Sequence, residues 1–125
     1  NLKDTYNNAD KDRKKELKEQ YRQMRPDMGV FMLRSKTNNM CYIEGTQDLK
    51  SRINRYKFQL GHGSHPCREL QKDWNQFGAG NFTIEILENL KYDKDETKTD
   101  YTEELAIMQL IWEEKMTKEG LKLYR

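Results

Sequence analysis

Two short apolar segments joined by a polar turn constrain the fold of this chain more than any other feature. Residues 29–35 (GVFMLRS) and 40–45 (MCYIEG) have the length of strands, and the first offers apolar side chains to both of its faces. The intervening KTNN contains two asparagines, which tolerate the left-handed conformation that tight hairpins require. The pattern predicts an antiparallel hairpin.

Helices and one further strand are predicted around this hairpin. The predicted order is a polar tail over 1–10, a helix that ends before Pro26, the two strands, a helix from Asp48 to about Leu60, a helix over 67–77, a strand over 82–88, a charged loop and an apolar helix over 101–116. Asp48 is the expected N-cap and Gly78 the expected C-cap of their helices. The predicted fold class is α+β, a small and mainly antiparallel three-stranded sheet flanked by helices, with an extra N-terminal helix. One domain is expected over 28–118, preceded by the tail and helix over 1–27 and followed by a tail over 119–125.

Apolar residues at helical or strand spacing are the predicted core. The last helix is expected to bury its apolar stripe, while the first helix has only a narrow one and is expected at the edge of the domain. The remaining predicted core residues are Leu49, Ile53, Tyr56 and Leu60 on one helix, Trp74 and Phe77 on the next, and Phe82, Ile84 and Ile86 on the third strand.

Composition narrows the class of protein but does not identify a partner. The 125 residues suit one domain, and the 35% of charged residues against 34% of hydrophobic ones predict a small core under a densely charged surface. A net charge of +2 indicates no particular partner. Cys41 and Cys67 form no CxxC pair, so a cytoplasmic location is expected. No apolar run approaches the roughly 20 residues that span a bilayer, so no membrane is expected as a partner.

Several motifs give the chain a resemblance to a known family. Gly29-Val30-Phe31 is followed, after a turn of suitable length, by Tyr42-Ile43-Glu44, then by DLKSRINRY and LQKDWNQFG. With this spacing the chain resembles the GIY-YIG nuclease superfamily over roughly Met28 to Glu88, and more loosely over the last helix. The resemblance implies that fold, and it implies metal-dependent hydrolysis of a DNA phosphodiester as the ancestral activity.

The resemblance also implies where the catalytic positions fall. In the family a strand tyrosine helps to deprotonate the attacking water, an arginine neutralises charge in the transition state, and a glutamate on a late helix holds a divalent cation. Phe31 and Tyr42 fall on the two motif tyrosines, Arg52 on the arginine, and Tyr56 on a position that is often histidine. Gln109 falls on the glutamate.

Among these catalytic positions, only Tyr42 and Arg52 have the residue types that are usual in the family. Phe31 has no hydroxyl group and cannot transfer a proton. Gln109 precedes Trp112 by three residues, as the family's Glu-x-x-Trp pattern requires, but a neutral amide is a poor ligand for Mg²⁺. We therefore expect a degenerate active site, no metal site and no cofactor, with Mg²⁺ required only if the domain is active after all.

Some alternatives remain open at this stage. Glu44 occupies the position of the second-motif glycine, and Gly45 is an alternative residue for that backbone role. Glu44, or Glu113 one turn after Gln109, is an alternative metal ligand. A zinc site formed by His62, His65 and Cys67, with Cys41 as a fourth ligand, is a further alternative.

Three functions are consistent with these residues. The first is a non-cleaving domain that binds DNA weakly and without sequence specificity, or binds a protein partner. The second is an active endonuclease of homing, restriction or repair type that uses displaced acidic residues. The third is a protein-interaction module without nucleic-acid contact. The residues predicted to contact nucleic acid are Lys50, Arg52, Arg55, Lys57, Arg68 and Lys72.

Overall fold

The computed structural model describes residues 2–125, apart from the side chains of residues 3, 4 and 6. Four helices and a four-stranded sheet make up the fold. In chain order they are α1 (Leu2–Met24), β1 (Met28–Ser35), β2 (Met40–Thr46), α2 (Leu49–Gly61), α3 (Arg68–Phe77), a 3-10 turn (Ala79–Asn81), β3 (Phe82–Leu90), α4 (Thr102–Lys118) and β4 (Lys122–Leu123). Within the described part of the chain, no helix is long and apolar enough to cross a bilayer.

The sheet confirms the predicted hairpin and its third strand. The strand order is β3-β1-β2-β4, and β1 pairs antiparallel with both β2 and β3. Asn39 in the hairpin turn has a φ of 55°, the left-handed conformation for which asparagine is suited. Asp48 accepts a hydrogen bond from the Ser51 backbone N–H at 3.0 Å, which confirms the predicted helix cap.

The helices cover the two faces of the sheet and divide the core. Val30, Met32, Cys41 and Ile43 face α4, where they pack with Met116 and Trp112. The opposite face packs against α2 and α3 through two clusters, one of Phe31, Leu49 and Tyr56 and the other of Leu33, Leu60, Leu70 and Phe82. Trp74 stacks on Phe82 with ring centroids 5.0 Å apart, so these two residues belong to the core as predicted.

β3 keeps the predicted alternation as far as Ile86, but Ile86 itself is 50% exposed and lines a groove beside Ile53 of α2, so its predicted place in the core is wrong. Val30 pairs with Glu88 and the adjacent Phe31 pairs with Ile86, so Leu87 forms a bulge between them. The bulge places Leu87 and Glu88 on the same face of the sheet, where Leu87 packs against the core cluster beneath α4 and Glu88 accepts a 2.8 Å hydrogen bond from the Trp112 ring N–H.

A fourth strand lies within the predicted C-terminal tail. β4 pairs parallel with β2 through Met40–Lys122 and Cys41–Leu123, and Leu121 and Tyr124 are buried beside it. The Tyr124 hydroxyl donates a hydrogen bond to Asp73 at 2.6 Å, which attaches the end of the chain to α3. A strand of two residues has no periodic pattern, so only its pairing with β2 defines it.

The predicted N-terminal tail is helical from Leu2, which corrects the prediction, while Asn1 lies outside the described residues. Ion pairs one turn apart, Lys14–Asp10 and Arg13–Glu16, support the helix along its exposed surface. Its end is attached to the loop before α4, because Arg22 pairs with Glu96 there.

The apolar residues of α4 lie on two faces of the helix. Leu105 and Met116 are buried against the sheet, which agrees with the predicted core stripe. Ile107, Leu110 and Ile111 point outward and are 52%, 60% and 45% exposed. The prediction that the apolar stripe of this helix is core is therefore correct for one face only.

Candidate functional site

A cleft lies where the end of β2, the start of α2 and the first half of α4 meet. It has a volume of about 470 Å³, and Arg52 and Gln109 line it from opposite helices. The fold therefore brings two of the sequence-predicted positions together although they are 57 residues apart (109 minus 52). The remaining lining residues are Gly45, Thr46, Gln47, Asp48, Thr102, Leu105 and Ala106.

Gly45 allows α4 to approach β2 closely at this cleft. A Cβ atom at Gly45 would lie 2.8 Å from the Leu105 carbonyl oxygen, which belongs to the backbone and cannot rotate away. The Gly45 N–H donates a 3.0 Å hydrogen bond to Oε1 of Gln109. This close approach favours Gly45 over Glu44 for the role of the motif glycine. The hydrogen bond also means that the side-chain oxygen of Gln109 is already engaged by the protein backbone.

Glu44 forms a long ion pair with Arg52, which lines the cleft. Oε2 of Glu44 lies 3.8 Å from Nε of Arg52, and the two side chains are 27% and 41% exposed. The same oxygen is buried and has no hydrogen-bond partner among the described residues. The pair is therefore loose, and each charge neutralises part of the other's field at the point where an anionic ligand would approach.

Aromatic rings form a cluster behind this ion pair. The Tyr56 ring lies 5.1 Å from Phe31, 5.7 Å from Tyr42 and 4.6 Å from His65, measured between centroids. Burial raises the pKa of Tyr56, and the nearby carboxylate of Glu44 raises it further. Burial also raises the pKa of Tyr42, although a hydrogen bond with Tyr56 opposes the shift. Both phenols are therefore protonated at neutral pH and are poor bases.

His65 belongs to this cluster, and sequence reasoning considered it only as a zinc ligand. Its Nδ1 accepts a hydrogen bond from the Cys67 N–H at 3.0 Å, so its remaining nitrogen, Nε2, carries the proton of the neutral ring. Nε2 is buried and has no hydrogen-bond partner within residues 2–125. Burial lowers the pKa of His65 below its ordinary value of 6.5. No local pattern distinguishes His65 from His62, since its position depends on the packing of α2 against β2.

We expect this buried histidine to make stability depend on pH. Below pH 6.5 the unfolded chain gains a proton at residue 65, whereas the folded chain resists it because the folded pKa is lowered. The free energy of unfolding should therefore decrease as the pH falls from about 7 to about 5. Urea titrations across this range measure the effect.

The control compares His65→Gln with His62→Gln. The first variant removes the buried titrating group and should flatten the pH dependence below 6.5. The second removes an exposed histidine whose Nδ1 contacts the Phe58 carbonyl oxygen, and it should keep the wild-type pH dependence. Equal slopes for the two variants would contradict the assignment to His65.

By sequence, the chain is similar to part of a phage endonuclease. No protein-family model matches the chain. The chain is similar to Intron-associated endonuclease 1 of Enterobacteria phage T4, with 31% identity over 67 residues, or 54% of this chain. The aligned part amounts to 27% of that relative's length. The similarity therefore concerns one segment of a much longer protein.

Two solved structures give the comparison at the level of the fold. Both are of the catalytic domain of the homing endonuclease I-TevI, one of them in a variant form. The variant gives a TM-score of 0.61 at 23% identity, and the alignment covers 79% of this chain and 92% of that domain. The other structure gives a TM-score of 0.60 at 23% identity, with 78% of this chain and 95% of that domain covered. The chain has a GIY-YIG-like fold. At this level of identity the comparison establishes the architecture, and the function of the cleft depends on the residues that line it.

The GIY-YIG-like fold places the predicted basic residues on different sides of α2. Arg52 and Arg55 are three residues apart and share one side, whereas Lys50 and Lys57 are two helical turns apart and share another. Arg52 lines the cleft, and Lys50 lines a separate groove beside Ile53 and Ile86. On α3, Arg68 and Lys72 are both exposed.

The acidic alternatives lie at the edges of the cleft in this GIY-YIG-like domain. Glu113 lines a second opening together with Tyr42 and Gln109. Glu44 immediately precedes Gly45 in the chain, and its carboxylate is directed towards Arg52. Among the described residues, no three His, Cys, Asp or Glu side chains converge as a metal-binding group.

The zinc alternative is not supported by the geometry. His62 stacks on Phe58, with ring centroids 4.1 Å apart, whereas His65 points into the tyrosine cluster. Cys41 is buried on the α4 face of the sheet with Val30 and Met32, whereas His65 lies on the other face. The four proposed ligands therefore serve separate parts of the structure.

Proposed function

We propose that this chain is a nuclease-like domain with a degenerate active site, which binds DNA weakly and does not cleave it. The observation that carries the proposal is the hydrogen bond from the Gly45 N–H to Gln109. Gln109 is the residue that the resemblance places at the metal position. Its oxygen is neutral and already accepts a hydrogen bond from the protein.

The chemistry of the other side chains supports the loss of metal-dependent cleavage. Mg²⁺ requires anionic or strongly polar oxygens in octahedral geometry. Glu44 is partly neutralised by Arg52. The acidic side chains that line the cleft and the second opening are Asp48 and Glu113. Asp48 already caps α2. These residues do not fit a hard divalent cation. Phe31 is fully buried and lacks a hydroxyl group, so it cannot assist a water molecule.

The arginine side of α2 supports the DNA-binding part of the proposal. Arg52 at the cleft and the exposed Arg55 one turn later present two guanidinium groups to one direction. Guanidinium groups bind phosphate oxygens through two parallel hydrogen bonds. A contact of two to four phosphates supports non-specific dissociation constants of roughly 10⁻⁴ to 10⁻⁶ M at physiological salt.

The test is the double variant Arg52→Ala/Arg55→Ala. We expect it to weaken binding to duplex DNA by roughly tenfold and to reduce the salt slope by about 1.8, since about 0.9 is lost with each phosphate contact. The loss should be equal for unrelated sequences, because these side chains contact the backbone and not the bases. Fluorescence anisotropy at several salt concentrations measures it.

Lys50→Ala/Lys57→Ala is the matched control because it removes the same charge from the other side of α2. It should weaken binding less than the arginine pair does. Equal losses would mean that net charge alone determines binding. Absence of binding even at low salt would favour the protein-interaction module, and nanomolar sequence-specific binding would also contradict the proposal.

Glu44 gives a prediction in the opposite direction. Glu44→Gln should strengthen DNA binding severalfold, because Arg52 loses its carboxylate partner and the approaching phosphate meets one negative charge fewer. The gain should disappear when Arg52→Ala is also present. A Glu44→Gln variant with unchanged affinity, or a gain that persists without Arg52, would show that this pair does not control binding.

A second candidate is an active endonuclease that uses displaced acidic residues. It is favoured by the names of the similar proteins, which are endonucleases, and by the position of Glu113 beside Tyr42 and Gln109. It differs from the first proposal in requiring cleavage that depends on a metal ion.

A further inference from the structure

Five basic residues on α1 and directly after it lie on one side of the helix. From residue 11 they recur at alternating spacings of four and three residues, which keeps side chains on one face of an α-helix. The last of them follows the helix, and its N–H still donates a hydrogen bond to the Arg22 carbonyl oxygen at 3.3 Å. We call this set the α1 stripe, which consists of Lys11, Lys15, Lys18, Arg22 and Arg25.

The acidic residues between positions 10 and 25 occupy the flanks of the α1 stripe. Asp12, Glu16 and Glu19 repeat at the same spacings but one residue later, which displaces them by about 100° around the helix axis. Asp10 lies on the other flank and pairs with Lys14 at 3.7 Å. One side of the helix is therefore positive, although the helix as a whole carries both signs of charge.

Three lysines in the N-terminal part of the stripe have no partner. Lys11, Lys15 and Lys18 are exposed, and none of them forms an ion pair or a side-chain hydrogen bond with another described residue. They lie within about 10 Å of one another along the helix axis. An extended anionic ligand would therefore meet three ammonium groups that are not held in ion pairs.

The C-terminal end of the stripe lies beside the cleft. Arg22 and Arg25 line a hollow of about 350 Å³, and two residues that line this hollow also line the cleft. These shared residues are Gln47 and Asp48. Arg22 is paired with Glu19 and Glu96, so the three lysines carry most of the unpaired charge of the stripe. The stripe and the cleft therefore belong to one continuous surface.

We propose that the α1 stripe contacts the phosphate backbone of the duplex DNA that binds at the cleft, so that α1 extends the nucleic-acid interface. This inference rests on the proposed function. Each strand of B-DNA carries one phosphate per about 3.4 Å of the helix axis. The three unpaired lysines therefore match about three consecutive phosphates of one strand.

The flanks of the stripe determine how α1 lies on the duplex. A helix inserted into the major groove has phosphates on both sides, and these would repel the acidic flank of Asp12, Glu16 and Glu19. A helix that lies along one backbone meets the phosphates only with the stripe, while its flanks face solvent. α1 therefore lies outside the grooves, where it contacts no base edges and adds affinity without sequence preference.

The first test removes the unpaired charges. Lys11→Gln/Lys15→Gln/Lys18→Gln should weaken binding to duplex DNA by roughly 30-fold and reduce the salt slope by about 2.7, since about 0.9 is lost with each phosphate contact. Glutamine and lysine have similar helix propensities, so the circular dichroism of α1 should not change. Lys11→Arg/Lys15→Arg/Lys18→Arg keeps the charges and should bind like the wild type. Fluorescence anisotropy at several salt concentrations measures these affinities.

The matched control removes three lysines near the opposite end of the sheet. Lys36 lies in the turn between β1 and β2, and Lys122 pairs with Met40 at the start of β2, whereas the cleft lies at Gly45 near the end of that strand. Lys118 is the last residue of α4, and all three lysines are exposed. Lys36→Gln/Lys118→Gln/Lys122→Gln removes the same net charge and should weaken binding much less than the stripe variant does.

The pattern of losses separates this inference from the proposed function. Wild-type affinity in the glutamine variant of the stripe, beside weakened binding in Arg52→Ala/Arg55→Ala, would overturn the α1 contact and leave DNA binding at the cleft intact. The reverse pattern would support the α1 contact and contradict binding at the cleft. Equal losses in the stripe and control variants would overturn the α1 contact, because net charge alone would then determine affinity. Absence of wild-type binding even at low salt would overturn both.

A second test needs no substitution. Bound duplex DNA should protect Lys11, Lys15 and Lys18 of the full chain from acetylation by an N-hydroxysuccinimide ester, measured by mass spectrometry of the peptides. Lys118 and Lys122 should react equally with and without DNA. Equal reactivity of the three stripe lysines in the free and bound chain would overturn the α1 contact.

Discussion

Supercoiled plasmid should stay intact when it is incubated with the purified chain and Mg²⁺ or Mn²⁺. The physical reason is the combined absence of a hydroxyl at Phe31 and of a carboxylate at Gln109. Loss of one catalytic group lowers a rate by about two to four orders of magnitude, and losing two with different roles leaves no measurable cleavage. Gel electrophoresis of nicked and linear plasmid measures the outcome.

Two variants make this expectation specific. Arg52→Ala controls for a contaminating nuclease, because any residual nicking should be identical in its presence. Gln109→Glu restores only the carboxylate, and we expect it to bind Mn²⁺ more tightly than the wild type does in a calorimetric titration. Wild-type cleavage that increases with protein and metal, and is lost in Arg52→Ala, would show that Glu44 or Glu113 has replaced the missing ligand.

The largest expected effect on stability comes from Gly29→Ala. A Cβ atom at this position would lie 2.0 Å from the Glu88 carbonyl oxygen and 2.9 Å from Cα of Asn89. Both atoms belong to the backbone of β3 beside the bulge, so relief requires separation of two paired strands. We expect a loss of about 4 kcal/mol in the free energy of unfolding, measured by urea titration, which is a large part of the stability of a small domain.

Gly61→Ala is the matched control. Gly61 is the last residue of α2, and an added Cβ there meets nothing within 4 Å. Alanine restricts the unfolded chain more than glycine does, so this variant should gain about 0.4–1 kcal/mol. Similar unfolding midpoints for the two variants would mean that β3 moves away from β1 without loss of the sheet.

Features that depend on neighbouring residues were predicted correctly. The Asn-rich turn, the Asp48 cap and the end of α3 at Gly78 each arise from the conformational preferences of one or two residues. Gly78 has a φ of 84°, which glycine adopts readily. The α+β class followed from combining these local signals with the apolar periodicity.

Features that depend on distant strands were not predicted. β4 exists only because β2 offers an unpaired edge to Lys122 and Leu123. Ile86 keeps its predicted face but borders an open groove beside Ile53, and the sequence does not show where α2 leaves the sheet uncovered. The apolar pattern of α4 predicts a buried stripe but does not show how many faces of the helix are covered, so the exposure of Ile107, Leu110 and Ile111 is evident only in the structure.

The sequence by itself determined which chemical groups the cleft can contain. Phe31 has no hydroxyl, Gln109 has no charge and Arg52 keeps its guanidinium, whatever the fold, because residue type fixes the capacity for proton transfer and charge. Only the tertiary structure decided that Glu44 opposes Arg52 and that His65 lies against two tyrosines. His65 and Tyr42 are 23 residues apart in the chain, whereas the other two contacts join residues eight and nine apart. All of them depend on how α2 packs against the sheet.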